Sequence, residues 1–569
     1  MKKWALAATL GLGLGIALAA APTNTYVRMI LDTIPDFDPT QAYDTASNEV
    51  VLNVYEPLIT YKNSGVKDLE PLLASAMPKV TNGGKTYTVS LRKGVKFQSG
   101  NPFTCADAEY TFRRALVVSP SDSWPATIFG LVLLNSPSNA KDDPSITWAK
   151  ISKAVSCNSN GQLVFNLVKP DAAFMTKLAF TGAGIIDKKF AVAGGEWDGT
   201  EKTWKSWAGK SLHDSYLTDH MSGTGAYQLV SKSPSEYVFK AFAGYWGDKP
   251  KLQNVVLRVV PEESTRLLAV QKGDADFVDL VNRPALAQLQ GSKDVTIIDG
   301  VDAMSVDVIF MNQNIRSSAN IGSGKLDGKG IPANFFSDIN VRKGFAYAFD
   351  YQKYVKQVLE GKGKVLTMAL PDTFLGYDPS IKAPTYSLEK ATAYLKKAWG
   401  GKVWQNGFTV DVWFNAGNNR RQIAGEMLKA GLEAINPKFK LNVVSRPFAD
   451  VIQNGESGVL AMSIGGWSPD YPDPDDYMPI FYSSTGMYHF RTGLKDASID
   501  KALDQAAQIA NPAKRESLYK LVGKRGNDLT PFIIVPERVE FRVISKNLKG
   551  YTVNPVLAAS DTFWKNLSK

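Results

Sequence analysis

The stretch NVVLRVVPEESTRLLAVQKGDADFVD, Asn254 to Asp279, leaves its backbone little choice. Val255 to Val260 is rich in β-branched residues and favours an extended strand. Pro261 opens the next piece, where its locked φ and missing N–H suit the first turn of a helix. Lys272-Gly273 closes that helix, because glycine takes the left-handed conformation that a helix end needs. Phe277 and Val278 then begin a second extended piece. Strand, helix and strand in so short a span predict a mixed α/β chain.

Neighbouring segments read the same way. Lys85 to Phe97 alternates Tyr87, Val89 and Leu91 against Thr88, Ser90 and Arg92, then turns at Lys93-Gly94 into Val95 and Phe97, a two-strand signal. Thr104 with Asp107 three residues on forms a capping-box-like start for a helix carrying Cys105, Ala108, Phe112, Ala115 and Leu116 on one stripe. Gln162 to Val168 is a strand, and Tyr227 to Phe242 a hairpin around Ser233-Pro234-Ser235. Ser119 to Pro144, with its Pro, Ser, Asn and Asp, reads as an insertion, and Ile321 to Ile331 as a surface loop. Beyond about Ser305 a second set begins. Asp338 caps one helix running to Gly361, Val410 to Phe414 is a strand, Asn418-Asn419 starts the helix Arg420 to Ile435, and Leu441 to Val444 and Leu460 to Ile464 are further strands.

The chain has 569 residues, more than one hydrophobic core normally serves, so two or more lobes are expected. At the N-terminus, Lys2 and Lys3 precede the apolar run Trp4 to Ala19, which ends in the small-x-small site Ala17-Leu18-Ala19, the pattern of a signal peptide over residues 1–19. The run is short and glycine-rich for a bilayer span, and no cysteine follows it to carry a lipid. An exported, periplasmic protein without a lipid anchor is expected. The net charge of +10 is scattered, without basic blocks or zinc-finger spacing, which argues against nucleic acid. Cys105 and Cys157 are the two cysteines, and an even count in an oxidising compartment predicts a bridge.

GWSPDYPDPDDY, Gly466 to Tyr477, follows the strand Leu460 to Ile464 directly, and Pro469, Pro472 and Pro474 keep it from continuing as helix or central strand. Loops just past strand ends are where ligand groups gather in α/β proteins. An EF-hand reading fails for want of the glycine and terminal glutamate. No metal site and no cofactor are expected. The chain shows no G-x-S-x-G and no H-E-x-x-H, and His213, His220 and His489 are scattered, so an exported hydrolase is not expected. The same scarcity of histidine argues against a binder that coordinates metal directly.

Five blocks in one order carry a resemblance. They are LEPLLASAMPKVTNGGKTYTVSLRKGVKFQSGNPFTCADAEYTFRRAL, SGTGAYQLVS with GYWGDKPKLQNVVLRVVPEESTRLLAVQKGDADFVD, VRKGFAYAFDYQKYVKQVLEGKG, GGWSPDYPDPDDYM, and LTPFIIVPERVEFRVISKNLKGYTVNP. Together they resemble the family 5 extracellular solute-binding proteins of ABC importers, the oligopeptide- and dipeptide-binding type. The resemblance implies an α/β, two-lobed periplasmic binding protein fold of the Venus-flytrap kind, cluster C. Lobe I would hold 20–305 with an extra subdomain at 61–207, lobe II 306–533, and 534–569 would return to lobe I. The crossovers would lie near Ser305 to Asn312 and Pro531 to Val535.

It implies a monomer that holds peptide between the lobes by main-chain hydrogen bonds and passes it to a membrane permease with a cytoplasmic ATPase. In peptide-binding members the acid three residues after the Trp accepts the ligand's α-ammonium, here Asp470, with Gly466 and Ser468 placed for main-chain contacts. Trp467, Tyr471 and Tyr43 join the candidate ligand-binding set, while Asp473, Asp475 and Asp476 read as turn formers and solvated acids. Dipeptide-specific relatives carry an Arg just before the helix Arg420 to Ile435. In VWFNAGNNRRQ that arginine is not visible, and Arg420 and Arg421 read as helix residues, which favours longer peptides. A sugar-binding alternative rests on Trp413, Trp467, Tyr471 and Tyr477 as stacking rings, with core packing the better reading for Trp413.

Overall fold

Strand Thr25–Ile30 is buried along its whole length because it lies inside a sheet, between parallel neighbours Asn254–Val259 and Phe277–Val278. Arg28 within it is neutralised by Glu49 at 3.0 Å and Asp279 at 2.7 Å. The computed structural model describes residues 22–569 apart from 32, 43, 44, 63–67, 119–123, 137, 213, 281, 318, 383, 384 and 555–561. The expected signal peptide, Tyr43 and His213 therefore lie outside the described residues.

From edge to edge the first sheet runs Val295–Asp302, Glu537–Ser545, Phe277–Val278, Thr25–Ile30, Asn254–Val259, Glu236–Ala241 and Tyr227–Lys232, with Gly363–Lys364 added beside Glu537–Ser545. The second runs Phe439–Arg446, Phe408–Asn415, Met462–Trp467, Val306–Met311 and Phe532–Ile534. The chain thus leaves the first sheet for the second at 303–305 and returns at 535–536. Both ends of the chain build one lobe because strand Glu537–Ser545 pairs with Phe277–Val278 and Val295–Asp302.

A third, four-stranded sheet, Lys79–Thr81, Thr86–Val89, Leu163–Asn166 and Val155–Cys157, forms the subdomain with helices Cys105–Val118 and Trp124–Leu134. Asp107 Oδ2 accepts both the N–H and the hydroxyl of Thr104 at 2.8 Å, closing the cap. Cys105 and Cys157 form a disulfide with Cα atoms 6.0 Å apart, joining the start of the first helix to the end of an edge strand. Buried Arg114 ties the subdomain to the rest of lobe I through Asp38 at 2.7 Å and is also paired with Glu196 of the subdomain itself at 2.7 Å. One apolar cluster runs from Phe112 and Phe165 of the subdomain through Val308 and Phe310 to Trp467 and Phe481 of the second lobe.

Two local expectations fail. Thr86–Val89 pairs with Leu163–Asn166, setting Tyr87 against Phe165 and Val89 against Leu163, and Lys96 makes only a single bridge to Pro102. The distant strand offers a matching apolar face, which the short turn at Lys93-Gly94 does not. The helix after Asp338 is two helices, Ile339–Ala348 and Tyr351–Gln357, because Asp350 turns its carboxylate back to the Lys353 N–H and caps the second. The segment 119–144, read from the sequence as an insertion, contains the helix Trp124–Leu134. Among the described residues no helix is long and apolar enough to cross a membrane.

Candidate functional site

Strand Met462–Trp467 runs further than its apolar core suggested, so Gly466 and Trp467 belong to the sheet, opposite Asp307 and Val306. A side chain at Gly466 would run into the Val306 carbonyl and the Asp307 carboxylate. Tyr488 donates its hydroxyl to the Gly466 carbonyl at 2.6 Å. Past Trp467 the prolines end the pairing, and the chain makes a single 3-10 turn at Pro474–Asp476 before the helix Met478–Tyr482.

The loop's acids are not solvated, which corrects that part of the sequence reading, while Asp473 does form the turn by accepting the Asp475 N–H at 2.9 Å. Asp473 holds Arg515 through both oxygens, at 2.5 and 2.8 Å. Asp475 meets Lys177 of the subdomain at 2.8 Å, and Lys177 also meets Asp171 at 2.7 Å. Burial works to raise the Asp475 pKa, but the Lys177 ammonium outweighs it and holds the carboxyl below its ordinary value. Asp476 is 1% exposed and accepts the Asp470 N–H at 2.7 Å, the Tyr471 N–H at 3.4 Å and the Trp467 indole N–H at 3.3 Å. Burial, then repulsion from Asp470, push its carboxyl well above the usual range despite those donors. Half-buried Asp470 is therefore positioned by a hydrogen bond from its own backbone.

The loop grips the first crossover. Ser468 Oγ lies 2.9 Å from Ser305 Oγ. Tyr477 donates its hydroxyl to the carbonyl of Met304, which sits at φ +49°, a region that residues with a side chain seldom occupy. Beside Ser305 a pocket opens between the crossovers, lined by Asp307, Tyr354, Arg420, Pro536, Glu537 and Arg538. Asn418 caps the helix Asn419–Ile435 and so sets Arg420 and Arg421 in its first turn. Arg421 is spoken for by Asp307 at 2.7 Å and Asn415 at 2.8 Å, and Arg538 by Glu540 at 2.5 Å. Among the described residues Arg420 makes no ion pair; burial, then the neighbouring Arg538, lower its pKa. Glu537 is pushed up to about 8 by burial and then by Asp372.

The structure thus brings Gly466, Ser468 and Asp470 together with Ser305. It gives the aromatic candidates other work. Trp467 is buried and edge-on to Tyr488, Tyr477 is buried against Phe374, and Tyr471 is 4% exposed, packed with Ile128, Ala173 and Phe180. Trp413 lies on a strand under Arg446, 4.9 Å from its ring. None of the three buried rings keeps an open face for a sugar, so the basis for that alternative is gone. Arg420 is the helix residue, as read from the sequence, whose place in the pocket beside Ser305 that reading did not foresee. Its signal was a pair of arginines at a capped helix start, where the helix dipole disfavours positive charge. Among the described residues no group of three or more His, Cys, Asp or Glu is placed to hold a metal ion.

The family model for bacterial extracellular solute-binding proteins, family 5, middle region, matches residues 68–489. Heme-binding protein A of Haemophilus influenzae is 26% identical over 549 residues, 94% of this chain and 91% of that one. The dipeptide-binding protein of Escherichia coli is 25% identical over 539 residues, 90% of this chain and 88% of that one. The periplasmic binding protein DppA of Helicobacter pylori, solved in complex with the peptide STSA, has the same fold, with a TM-score of 0.77 at 21% identity over 96% of this chain and 98% of that one. With its two sheets joined by paired crossovers and a match over most of its length, the chain belongs to the bacterial extracellular solute-binding proteins, family 5.

Proposed function

We propose that this protein is the extracytoplasmic solute-binding component of an ABC importer, exported by the segment 1–19, and that it binds peptides between its lobes and hands them to a membrane permease. Asp470 takes the peptide's α-ammonium, with Gly466 and Ser468 offering main-chain contacts. The observation that carries this reading is the contact of Ser468 with Ser305, 2.9 Å apart, which sets the loop of Asp470 against the first crossover, where Ser305 also lines the pocket that holds Arg420. Arg420, which lacks an ion pair in that pocket, is suited to a carboxylate, so the ligand is a zwitterion with both termini free. That revises the preference for longer peptides, which rested on finding no such arginine. Relatives named for dipeptides, glutathione and heme mark the range of solutes to test.

Native mass spectrometry of the purified protein separates peptide from hemin by mass, and calorimetry with free and N-acetylated forms of a bound peptide tests the site. Asp470→Asn leaves a buried ammonium without its counter-charge, which typically costs about 3 to 5 kcal/mol. The expected loss of affinity is at least about a hundredfold. Equal affinity of the free and acetylated forms for the unaltered protein refutes the role of Asp470.

A further inference from the structure

Glu537 and Arg420 line one pocket from different lobes. Glu537 opens the strand Glu537–Ser545 of the first sheet, directly after the return crossover, and Arg420 stands in the first turn of the helix Asn419–Ile435 of the second lobe. Both face the narrow space beside Ser305 and Pro536. Glu537 is 6% exposed, yet among the described residues its carboxyl makes no hydrogen bond and no ion pair. Its oxygens retain accessible surface, so a group entering the pocket can reach them. A carboxyl this deeply buried normally has a partner, and an unpaired one destabilises the fold. Lys364 is the cation nearest in register, directly opposite Glu537 across the antiparallel ladder, but its ammonium goes to Asp302 at 3.3 Å and Asp372 at 3.0 Å.

The pocket is polarised as a result. Asp302 and Asp372 against the single ammonium of Lys364 make the Glu537 end negative. At the other end Arg421 is matched by Asp307 and Arg538 by Glu540, which leaves the charge of Arg420 unmatched among the described residues. A carboxylate is therefore favoured beside Arg420 and repelled from the Glu537 end, and a cation the reverse.

We propose that this pocket selects the last side chain of the peptide: the terminal carboxylate rests on Arg420, and the cationic tip of a C-terminal lysine or arginine rests on Glu537. The inference rests on the peptide reading above. A narrow pocket suits an unbranched stem that carries its charge at the tip and lays its methylenes along Tyr354, Leu359 and Pro536. Because its two charges meet groups on different lobes, that one residue of the ligand also ties the lobes together. Burial, then the charge of Asp372, raise the Glu537 carboxyl to about 8, with Asp302 adding to the rise and Lys364 and Arg538 opposing it. Near neutral pH the peptide-free pocket thus holds a proton on Glu537, which the arriving cation displaces to solvent. Lysine and arginine side chains stay charged throughout this range, so the preference for a basic end grows with pH as Glu537 ionises.

The test is equilibrium dialysis of the protein and of Glu537→Gln against paired peptides of two to five residues with free termini. Each pair is alike except that one member ends in lysine and the other in norleucine, whose stem matches that of lysine without the charge. Bound peptide is measured by mass spectrometry at pH 6 and pH 8. The unaltered protein should favour lysine about tenfold or more at pH 8, and less at pH 6. Glu537→Gln should hold the two members about equally at both, and its peptide-free melting temperature at pH 8 should be no lower than that of the parent. Norleucine peptides bound as tightly as lysine peptides by the unaltered protein would overturn the selectivity and leave the peptide reading standing. A lysine preference that survives Glu537→Gln, or one that ignores pH, overturns the role of Glu537. So does a variant that melts lower than the parent and retains neither member, since the carboxyl is then paired within the protein. If the unaltered protein retains neither member of any pair, the peptide reading falls and this inference with it.

Discussion

Replacing Lys177 by Met tests whether the acidic loop is held to the subdomain by charge. The ammonium lies 2.7 Å from Asp171 and 2.8 Å from Asp475, and the three side chains are 5%, 9% and 13% exposed. Methionine keeps much of the stem's packing and removes the cation, which leaves two carboxylates facing each other in a water-poor contact. Removing one partner of a buried pair typically costs about 3 to 5 kcal/mol. In the intact protein Asp475 sits below its ordinary pKa, and Asp171 sits above its own because burial and the Asp475 charge outweigh Lys177. Without Lys177 both carboxyls shift upward. The folded variant then binds more protons than its unfolded chain above the ordinary carboxylate range, so its stability falls as pH rises. Lys177 itself, its pKa raised by the two acids against the pull of burial, contributes fully at every pH below the unfolded lysine value and adds no slope there. Calorimetric melting at pH 5 and pH 8 should therefore show a clear loss for Lys177→Met that is larger at pH 8. Adding Asp475→Asn should restore part of it. Equal melting of variant and parent at pH 8, or a gap that ignores pH, would refute the charge argument.

Glu537 offers a second pH test. Its carboxyl is raised from 4.5 to about 8, so the native state favours the protonated form, and stability declines as pH climbs through that interval. Glu537→Gln should match the parent near pH 4.5 and exceed it at pH 8, by at most roughly 5 kcal/mol, in denaturant titrations at the two pH values. Gly466→Ala should destabilise the protein by about 1 to 3 kcal/mol, since the new methyl meets the Val306 backbone and nothing there is free to yield; an unchanged unfolding midpoint would contradict that packing. Intact mass with and without reduction should show Cys105 and Cys157 protected from alkylation until reduced.

Where a few consecutive residues settle the matter, the linear chain was enough. The strand, helix and strand of Asn254 to Asp279 form with Gly273 at φ +79°, the Thr104–Asp107 cap closes, and Asn418 starts its helix, because glycine's conformational freedom and a short side chain's reach to a nearby N–H need no distant partner. The prolines of the acidic loop likewise announced the end of a strand, though not that the strand runs on to Trp467. Ion pairs are another matter. Asp475 finds Lys177 across 298 positions, and Arg421 finds Asp307 across 114. Packing alone decided that, among the described residues, Arg421 has an ion-pair partner and Arg420 beside it has none, and that Asp476 is buried beneath Asp470 rather than in water. A charge's role depends on what stands within a few ångströms of it and how much water remains, and for these residues only the folding of distant segments against one another sets both.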